Sequence, residues 1–217
     1  MIRRTWVVLL LAAVVASMTT TTHAVPPTTV SISGSGDLLA HNLLYIKART
    51  ATGYNFRPML SKLSELLTAD VNICHLETPL TLDQPRSYPV FATPHQLANA
   101  IKSAGFDGCS VASNHSLDQG WQGVDTTASE LQSRGLQTAG TKPQESDRSV
   151  AWYTTAAGVR IAQLAYSYGF NGFSPPVDHP HLVNRINTKQ ILRAAATVRA
   201  KGADLVIVSL HWGTEYA

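Results

Sequence analysis

Short apolar runs alternate with segments of helical periodicity along most of the chain. The apolar runs predict strands at residues 30–35, 71–76, 106–112, 136–139 and 205–210. Helical spacing of apolar residues predicts helices at residues 56–67, 94–104, 124–131 and 188–200. Two further runs flank Ala157-Gly158 and predict a hairpin, at residues 150–154 and 159–166. Strands and helices in this order are typical of an α/β fold with a mainly parallel sheet covered on both faces.

Turn and capping residues mark several of these boundaries. We interpret Gly36-Asp37 as a turn after the first strand, followed by a polar loop that reaches residue 56. Thr93-Pro94 predicts the start of the second helix, and Gly105 lies just past its end. The glycines and prolines of residues 167–181 predict a long loop.

Polar side chains follow four of the predicted strands. They are Asp37, Glu77, the pair Asn114-His115, and His211. Because the carboxyl ends of neighbouring parallel strands lie about 4.8 Å apart at one edge of a sheet, we expect these side chains to converge. Residues 113–120 are the most polar of these segments, since an amide, an imidazole and a carboxylate fall close together there.

The residue types at the strand ends indicate a metal site. Carboxylates, an amide oxygen and an imidazole suit divalent Mn, Fe, Zn or Mg better than a thiolate-selected soft metal. We predict four metal ligands: Asp37, Glu77, Asn114 and His211. A carboxylate such as Asp37 or Glu77 can bridge two metals about 3.5 to 4 Å apart, an arrangement that activates water. His115 is predicted to protonate a leaving group, and Asp118 to orient His115 by accepting its other N–H.

Each predicted ligand has a structural alternative when it is considered alone. Asp37 fits a turn, Glu77 fits a solvated loop carboxylate, and Asn114 fits a backbone-capping turn residue. His211 fits a histidine buried in the core. Their joint placement at strand ends is what favours the metal site.

Other residues lie near these motifs with weaker indications of function. Trp212 and Glu215 follow His211, and we interpret them as substrate-lining or supporting residues. His75 lies within a predicted strand, where the alternation of side chains leaves open whether it points into or out of the core.

The first 24 residues are predicted to be a secretory signal peptide. Arg3-Arg4 precedes an apolar run, and Thr22-His23-Ala24 has small residues at the two positions that signal peptidase recognises. The apolar run, residues 6–16, is shorter than the roughly 20 residues that span a bilayer. We expect residues 25–29 to be a linker and residues 30–217 to be one domain, secreted or held in the cell envelope.

The charge and the two cysteines restrict the class of protein further. Without Arg3 and Arg4 the formal net charge falls from +3 to +1, which does not match the dense Lys/Arg surface of a nucleic-acid-binding protein. Cys74 and Cys109 each lie in a predicted strand. They can pair if those strands are neighbours, but the simpler interpretation is two small buried residues.

Four motifs of the chain resemble those of one family. In order they are Gly36-Asp37, His75-Leu76-Glu77-Thr78-Pro79, Ser113-Asn114-His115-Ser116-Leu117-Asp118-Gln119-Gly120 and His211-Trp212-Gly213-Thr214-Glu215-Tyr216. By their order and spacing, the chain is similar to the bacterial capsule-synthesis proteins of the CapA (poly-gamma-glutamate biosynthesis, PGA_cap) family. The resemblance covers nearly all of the chain after the signal peptide.

That family resembles a branch of the calcineurin-like metallophosphatases, which implies a four-layered α/β/β/α sandwich with a dinuclear metal site. By motif, the resemblance implies the same roles as above: Asp37, Glu77, Asn114 and His211 as ligands and His115 as the catalytic histidine. Leu39 stands where many metallophosphatases have a ligand histidine, and Glu77 replaces their usual aspartate. The family's last motif, a Gly-His followed by a further histidine, is not reached by residue 217. The resemblance therefore implies a C-terminally truncated domain whose site is incomplete and inactive by itself.

Two functions are compatible with this resemblance. The first is an exported hydrolase that depends on divalent metal and cleaves a phosphoester, amide or ester bond of an envelope polymer. The second is a non-catalytic component that binds or exports capsule polymer and whose metal site is structural or vestigial. In both cases the expected partners are an anionic polymer such as poly-gamma-glutamate and the capsule-synthesis machinery, and not nucleic acid.

Overall fold

The computed structural model describes residues 29–144 and 149–213 of the chain. The predicted signal peptide, most of the predicted linker and Glu215 lie outside these residues. None of the helices in the described part is both long and apolar enough to cross a membrane.

The described ranges contain helices and strands in alternation. The helices are α1 Asn42–Ala48, α2 Arg57–Leu60, α3 Leu97–Ala104, α4 Gly120–Gln132 and α5 Thr188–Ala200, with a 3₁₀ helix at Ser61–Glu65. The strands of the two larger sheets are β1 Ile32–Leu38, β4 Val71–Leu76, β7 Gly108–Ser110, β8 Gln137–Ala139, β9 Ala151–Thr154, β10 Arg160–Ser167 and β11 Leu205–His211. Four short strands complete the set: β2 Arg49–Thr50, β3 Gly53–Tyr54, β5 Leu80–Thr81 and β6 Thr93–Pro94.

The longer strands form two sheets. The first sheet has the order β1-β4-β7-β8, and all neighbouring strands in it are parallel. The second sheet has the order β11-β10-β9, in which β11 is parallel and β9 antiparallel to β10. The mixed α/β fold with a mainly parallel sheet is therefore confirmed, as is the hairpin of β9 and β10.

Alternating side chains of the two sheets create three apolar layers. In β10, Ile161 and Ala165 pack between the two sheets, whereas Ala162 and Leu164 pack towards α5. A third layer lies between the first sheet and its helices, where Ile101 of α3 is fully buried. Each fully buried side chain of this size contributes roughly 1.5 to 3 kcal/mol to folding. The resulting order of helix, sheet, sheet and helix is the predicted α/β/β/α arrangement.

Three local predictions are wrong, each because tertiary contacts override a local signal. Thr93-Pro94 forms β6 beside β5 rather than a helix start, and α3 begins only at Leu97. Gly36-Asp37 is not a turn, because β1 continues through it with an irregular register beside β4. Residues 42–48, predicted as loop, form α1, whose last residue Ala48 is buried in the layer between the first sheet and its helices.

Cys74 and Cys109 form a disulfide bond between β4 and β7. The two residues lie opposite each other in the parallel ladder, with Cα atoms 4.4 Å apart. The interpretation as two unpaired buried residues is therefore wrong, because the two strands that carry them are neighbours. A bond across a sequence separation of 35 residues stabilises a fold by about 4 kcal/mol through restriction of the unfolded chain.

Candidate metal centre

Three ligand groups meet at the carboxyl ends of β1, β4 and β11. Asp37, His75 and His211 each offer one ligand atom, and these atoms lie within 4.8 Å of one another. Strand pairing brings Asp37 and His75 together, since they lie opposite each other in the β1–β4 ladder. His211 is the last residue of β11, in the second sheet. Asp37 and His211 are two of the predicted ligands, whereas His75 is the residue whose orientation the sequence left open.

His75 presents a nitrogen to this group that has no hydrogen-bond partner. Its Nδ1 lies 2.7 Å from Ser110 Oγ, whereas its buried Nε2 makes no hydrogen bond and lies 3.8 Å from Asp37 Oδ1. Burial, together with the neighbouring His211, lowers the pKa of His75 from 6.5 to about 4, against the opposing effect of Asp37. The ring is therefore neutral near pH 7, which is the form that binds a metal.

The His211 ring stacks on His75, with ring centroids 4.9 Å apart. Its Nε2 lies 2.9 Å from Asn114 Oδ1, and because a carbonyl oxygen only accepts, Nε2 carries the proton. Nδ1 is then the nitrogen with the lone pair, and it lies 4.0 Å from Asp37 Oδ1. Asn114, predicted as a ligand, thus contacts His211 and holds it in the tautomer that directs Nδ1 towards Asp37.

His115 and Asp118 form a buried pair beside this group. Asp118 Oδ2 lies 2.7 Å from His115 Nδ1 and also accepts a hydrogen bond of 2.7 Å from the backbone N–H of Phe91. The Phe91 ring packs edge-on against His115, with centroids 4.7 Å apart. The His115 ring is therefore held at Nδ1 by the carboxylate and on one side by Phe91, which leaves Nε2 as the nitrogen for proton exchange.

Glu77 and Trp212 complete the predicted residues within the described ranges. Glu77 follows the last residue of β4, is only 7% exposed, and lines the same cleft as the three-group cluster. It is not part of that cluster itself. Trp212 lies at the rim of the cleft and is 76% exposed. Glu215 lies outside the described residues, so its position is not assigned.

The cleft has a volume of about 450 Å³ and a mixed lining. Four aromatic side chains contribute to its walls: Tyr88, Phe91, Tyr168 and Trp212. Asp37 and Glu77 both line the cleft, whereas no lysine or arginine is found among the described residues that line it. The two carboxylates are thus not balanced by a lysine or arginine within this lining, and a bound cation would offset their charge.

The donor set fits a divalent metal ion. Imidazole nitrogen and carboxylate oxygen are the ligands that Zn, Mn and Fe take in proteins. The buried Nε2 of His75 has no protein hydrogen-bond partner, and leaving such an atom without any partner costs free energy. Both cysteines are joined in the disulfide, so a thiolate site is excluded. Glu77 supplies a further carboxylate in the same cleft for an ion that takes four or more ligands.

His75 is the residue of the three-group cluster that sequence reasoning missed. The odd-numbered residues Val71 and Ile73 of β4 pack between the two sheets, and His75 continues this alternation towards His211. Both faces of β4 are buried, because Cys74 and Leu76 pack on the opposite side. A strand that is apolar on both faces gives no signal in its own sequence about which face meets the second sheet.

Comparison with known proteins agrees with these motifs. A family model described as bacterial capsule synthesis protein PGA_cap matches residues 31–217. The capsule biosynthesis protein CapA of Bacillus anthracis is 27% identical over 192 residues, which cover 83% of this chain and 46% of that protein. The PGA biosynthesis protein CapA of Bacillus subtilis (strain 168) is 29% identical over 126 residues, which cover 57% of this chain and 33% of that protein.

The chain spans less than half the length of these two curated relatives. Its match to the family model, however, extends over nearly the whole of the chain from β1 onward, including all four motifs that border the cleft. The chain therefore belongs to the PGA_cap family of bacterial capsule synthesis proteins.

Proposed function

We propose that the chain is an exported hydrolase of capsule biosynthesis that depends on a divalent metal, held at a site with room for two ions. The observation that carries the proposal is that a potential metal group and a histidine–carboxylate pair border one cleft. The first is formed by Asp37, His75 and His211, of which Asp37 and His211 line the cleft. The second is the pair of His115 and Asp118, of which His115 lines the cleft. This combination suits the hydrolysis of a phosphoester, or of an amide or ester bond, in an envelope polymer.

The residues of the cleft have separable roles in this proposal. Asp37, His75, His211 and Glu77 would hold the metal, which supplies polarisation of the scissile bond and activation of water. Asn114 keeps His211 in the tautomer that carries its lone pair at Nδ1. Asp118 stabilises the protonated ring of His115, whose Nε2 delivers the proton to the leaving group.

Family membership supports an envelope-associated role and an association with capsule polymer machinery. The two relatives are named for capsule biosynthesis and PGA biosynthesis. We infer from them that the substrate is an anionic polymer of the poly-gamma-glutamate kind. Export would use the predicted signal peptide at residues 1–24.

The proposal is tested on protein expressed from its complete reading frame. Bound metal is measured after purification, and turnover is measured with a phosphomonoester, a phosphodiester and poly-gamma-glutamate, each with Mn²⁺ or Zn²⁺. We expect His75→Ala to lose metal and activity together, and His115→Ala to keep metal but lose activity. His181→Ala is a matched control because that histidine is exposed and does not line the cleft. Unchanged turnover in both His115→Ala and Asn114→Ala would exclude this hydrolase.

A non-catalytic polymer-binding component is the second candidate. It is favoured by the two aromatic side chains at the rim of the cleft, Tyr88 and Trp212, which are each 76% exposed and suit binding rather than packing. The names of the relatives also refer to biosynthesis and not to a cleavage reaction. Polymer binding that occurs without hydrolysis and survives His115→Ala would decide for this candidate.

A further inference from the structure

Asn171 lies in a tight turn that follows β10. Its backbone φ is 48°, which makes it the non-glycine residue with positive φ in the described part of the chain. Gly172 follows with φ of 84°, and the N–H of Phe173 donates to the carbonyl of Phe170 over 2.8 Å. Positive φ at both central positions is typical of a type I′ turn, for which Asn-Gly is a preferred pair.

The turn is fixed against the body of the protein. Phe170 is 7% exposed and packs in the layer between the sheets, in the same cluster as Leu117 of the Asn-His motif. The fully buried Ser167 at the end of β10 donates its hydroxyl to the carbonyl of Gly169 over 2.9 Å. The burial of Phe170 holds the turn in the cluster that contains Leu117, and the hydrogen bond of Ser167 ties the turn to the end of β10. The side chain of Asn171 therefore has a defined position.

The side-chain amide of Asn171 contacts two residues of the candidate site. Its Oδ1 accepts a hydrogen bond of 3.3 Å from Asn114 Nδ2. Its Nδ2 lies 3.4 Å from both ring nitrogens of His115. Because His115 Nδ1 donates to Asp118, only Nε2 can accept a hydrogen bond from Asn171.

These contacts complete a continuous chain of polar groups. It runs from Asp118 through His115, Asn171 and Asn114 to His211. An asparagine amide can present either its oxygen or its nitrogen to a neighbour. The oxygen of Asn171 receives the Asn114 amide nitrogen, so the Asn114 oxygen is directed to His211. The orientation of one amide therefore sets the orientation of the next.

We propose that Asn171 is a positioning residue that orients both the Asn114 amide and the His115 ring. The proposal rests on the proposed function, because it assigns Asn171 to the same site. Asn171 touches neither the metal group nor the reacting bond directly; it acts through Asn114 on His211 and through His115 on proton transfer. No motif of the sequence singled it out, since 57 residues separate it from Asn114.

The competing explanation is that Asn171 is present only because asparagine suits the turn. Two substitutions separate the explanations, because Gly-Gly and Asp-Gly also form this turn readily. Asn171→Gly removes the amide and keeps the backbone geometry. Asn171→Asp keeps an acceptor for Asn114 Nδ2 but cannot donate to His115. Asn187→Ala is the matched control, because it removes an asparagine whose Oδ1 caps α5 by accepting from the Gln190 N–H.

Three measurements are made on the protein expressed from its complete reading frame. They are the Kd for Mn²⁺ by calorimetry, the ¹⁵N chemical shifts of the His115 ring in metal-free protein at one pH, and kcat and KM. For Asn171→Gly we expect Mn²⁺ to bind 10- to 100-fold more weakly and kcat to fall 10- to 100-fold at nearly constant KM, as is usual when a supporting partner of a metal site is lost. The ¹⁵N shifts of the His115 ring should also change. Asn171→Asp should keep the Kd and change the ring shifts and kcat.

The control and the failure cases are distinguishable. Asn187→Ala should lower the melting temperature and leave Kd, ring shifts and kcat unchanged. Wild-type Kd and ring shifts in Asn171→Gly would overturn the proposal, and so would equal losses in Asn187→Ala. If Asn171→Gly does not fold, unchanged ring shifts in Asn171→Asp overturn it instead. If the wild-type protein binds Mn²⁺ but hydrolyses nothing, the proposed hydrolase fails, while Kd and ring shifts still decide the role of Asn171.

Discussion

Asp118 connects His115, the proposed proton-transfer residue, to the wall of the cleft. One of its carboxylate oxygens accepts from both His115 Nδ1 and the backbone N–H of Phe91, and its side chain is fully buried. The next residue, Gln119, donates its amide to the carbonyl of Phe91 over 2.8 Å. Two consecutive side chains thus hold both the imidazole and the loop that packs against it.

Replacement of Asp118 should therefore affect activity more than binding. In Asp118→Asn the neutral amide can still contact Phe91 but no longer stabilises a protonated His115. We expect kcat to fall on the order of 10²-fold or more, with little change in bound metal. Asp125→Asn makes the same change in α4 at a residue that does not line the cleft, and should leave kcat unchanged. Equal kcat for both variants would contradict the role of Asp118.

His75 should make the stability of the metal-free protein depend on pH. Its pKa is about 4 in the folded protein against 6.5 ordinarily. Between these values the unfolded chain binds a proton that the folded protein does not, so the free energy of unfolding decreases as the pH falls from 6.5 to about 4. The loss amounts to roughly 3 kcal/mol, and above pH 6.5 the effect is absent. Urea denaturation at pH 7.0 and 4.5 should show a smaller pH effect in His75→Gln than in the wild type.

The residues of the candidate site were predictable in part. Their occurrence at strand ends could be read from the sequence, because apolar runs mark where strands stop and polar residues begin. The closeness of His115 and Asp118 is a local property of residues three apart. The contacts of His75 with His211 and of Asn171 with Asn114 depend on how two sheets and a distant turn pack, and no local pattern encodes them.

The packing of one element against another is tight at Gly140, where the two sheets approach each other. It follows β8 with φ of 108°, and a Cβ atom there would lie 2.6 Å from Ala112 Cβ and 3.0 Å from Ala165 Cβ. Ala112 and Ala165 both belong to the layer between the sheets. A side chain at this position would be too close to both alanines. It would also require an L-residue to adopt a backbone conformation that favours glycine.

Gly140→Ala should therefore destabilise the fold. We expect a loss of about 2 kcal/mol or more in the free energy of unfolding, from strain in the backbone and from overpacking. Gly158→Ala is the control, because its φ is 81° but no atom lies within 4 Å of the added Cβ. That variant should lose only about 1 kcal/mol. Chemical denaturation of both variants measures the difference, and similar losses would show that the contact with Ala112 and Ala165 is not limiting.

Elements with marked ends and a regular pattern agree best with their predictions. Helix α5 begins and ends at the predicted residues, with Asn187 as its cap. The hairpin of β9 and β10 also agrees within one or two residues. By contrast, β6 depends on pairing with β5, so the capping signal at Thr93-Pro94 was misleading. Helix α1 depends on the burial of Ala48, which no local pattern of the sequence indicated.

At the scale of the whole molecule, the charge of the cleft bears on the proposed binding of an anionic polymer. Asp37 and Glu77 line the cleft, and no cationic side chain does so among the described residues. An anionic polymer would meet repulsion there in the absence of a bound cation. Attraction requires that the metal ion reverse the sign of the local charge.

Binding of poly-gamma-glutamate should therefore require a divalent metal. We expect the affinity for a fluorescently labelled polymer to fall at least tenfold when the metal is removed by EDTA, and to return with Mn²⁺ but not with an equal ionic strength of Na⁺. Fluorescence anisotropy measures the binding, and a neutral polysaccharide of similar length is the control. Equal affinity with and without metal would place the polymer outside this cleft.

The three-group cluster draws its members from both sheets. Asp37 and His75 belong to β1 and β4 of the first sheet, and His211 belongs to β11 of the second. An ion bound by all three would join the sheets as a reversible cross-link, and the packing of the two sheets would gain free energy from that ion. A chelator that removes the ion would then do more than stop the proposed reaction: it would shorten the time for which the folded protein resists proteases.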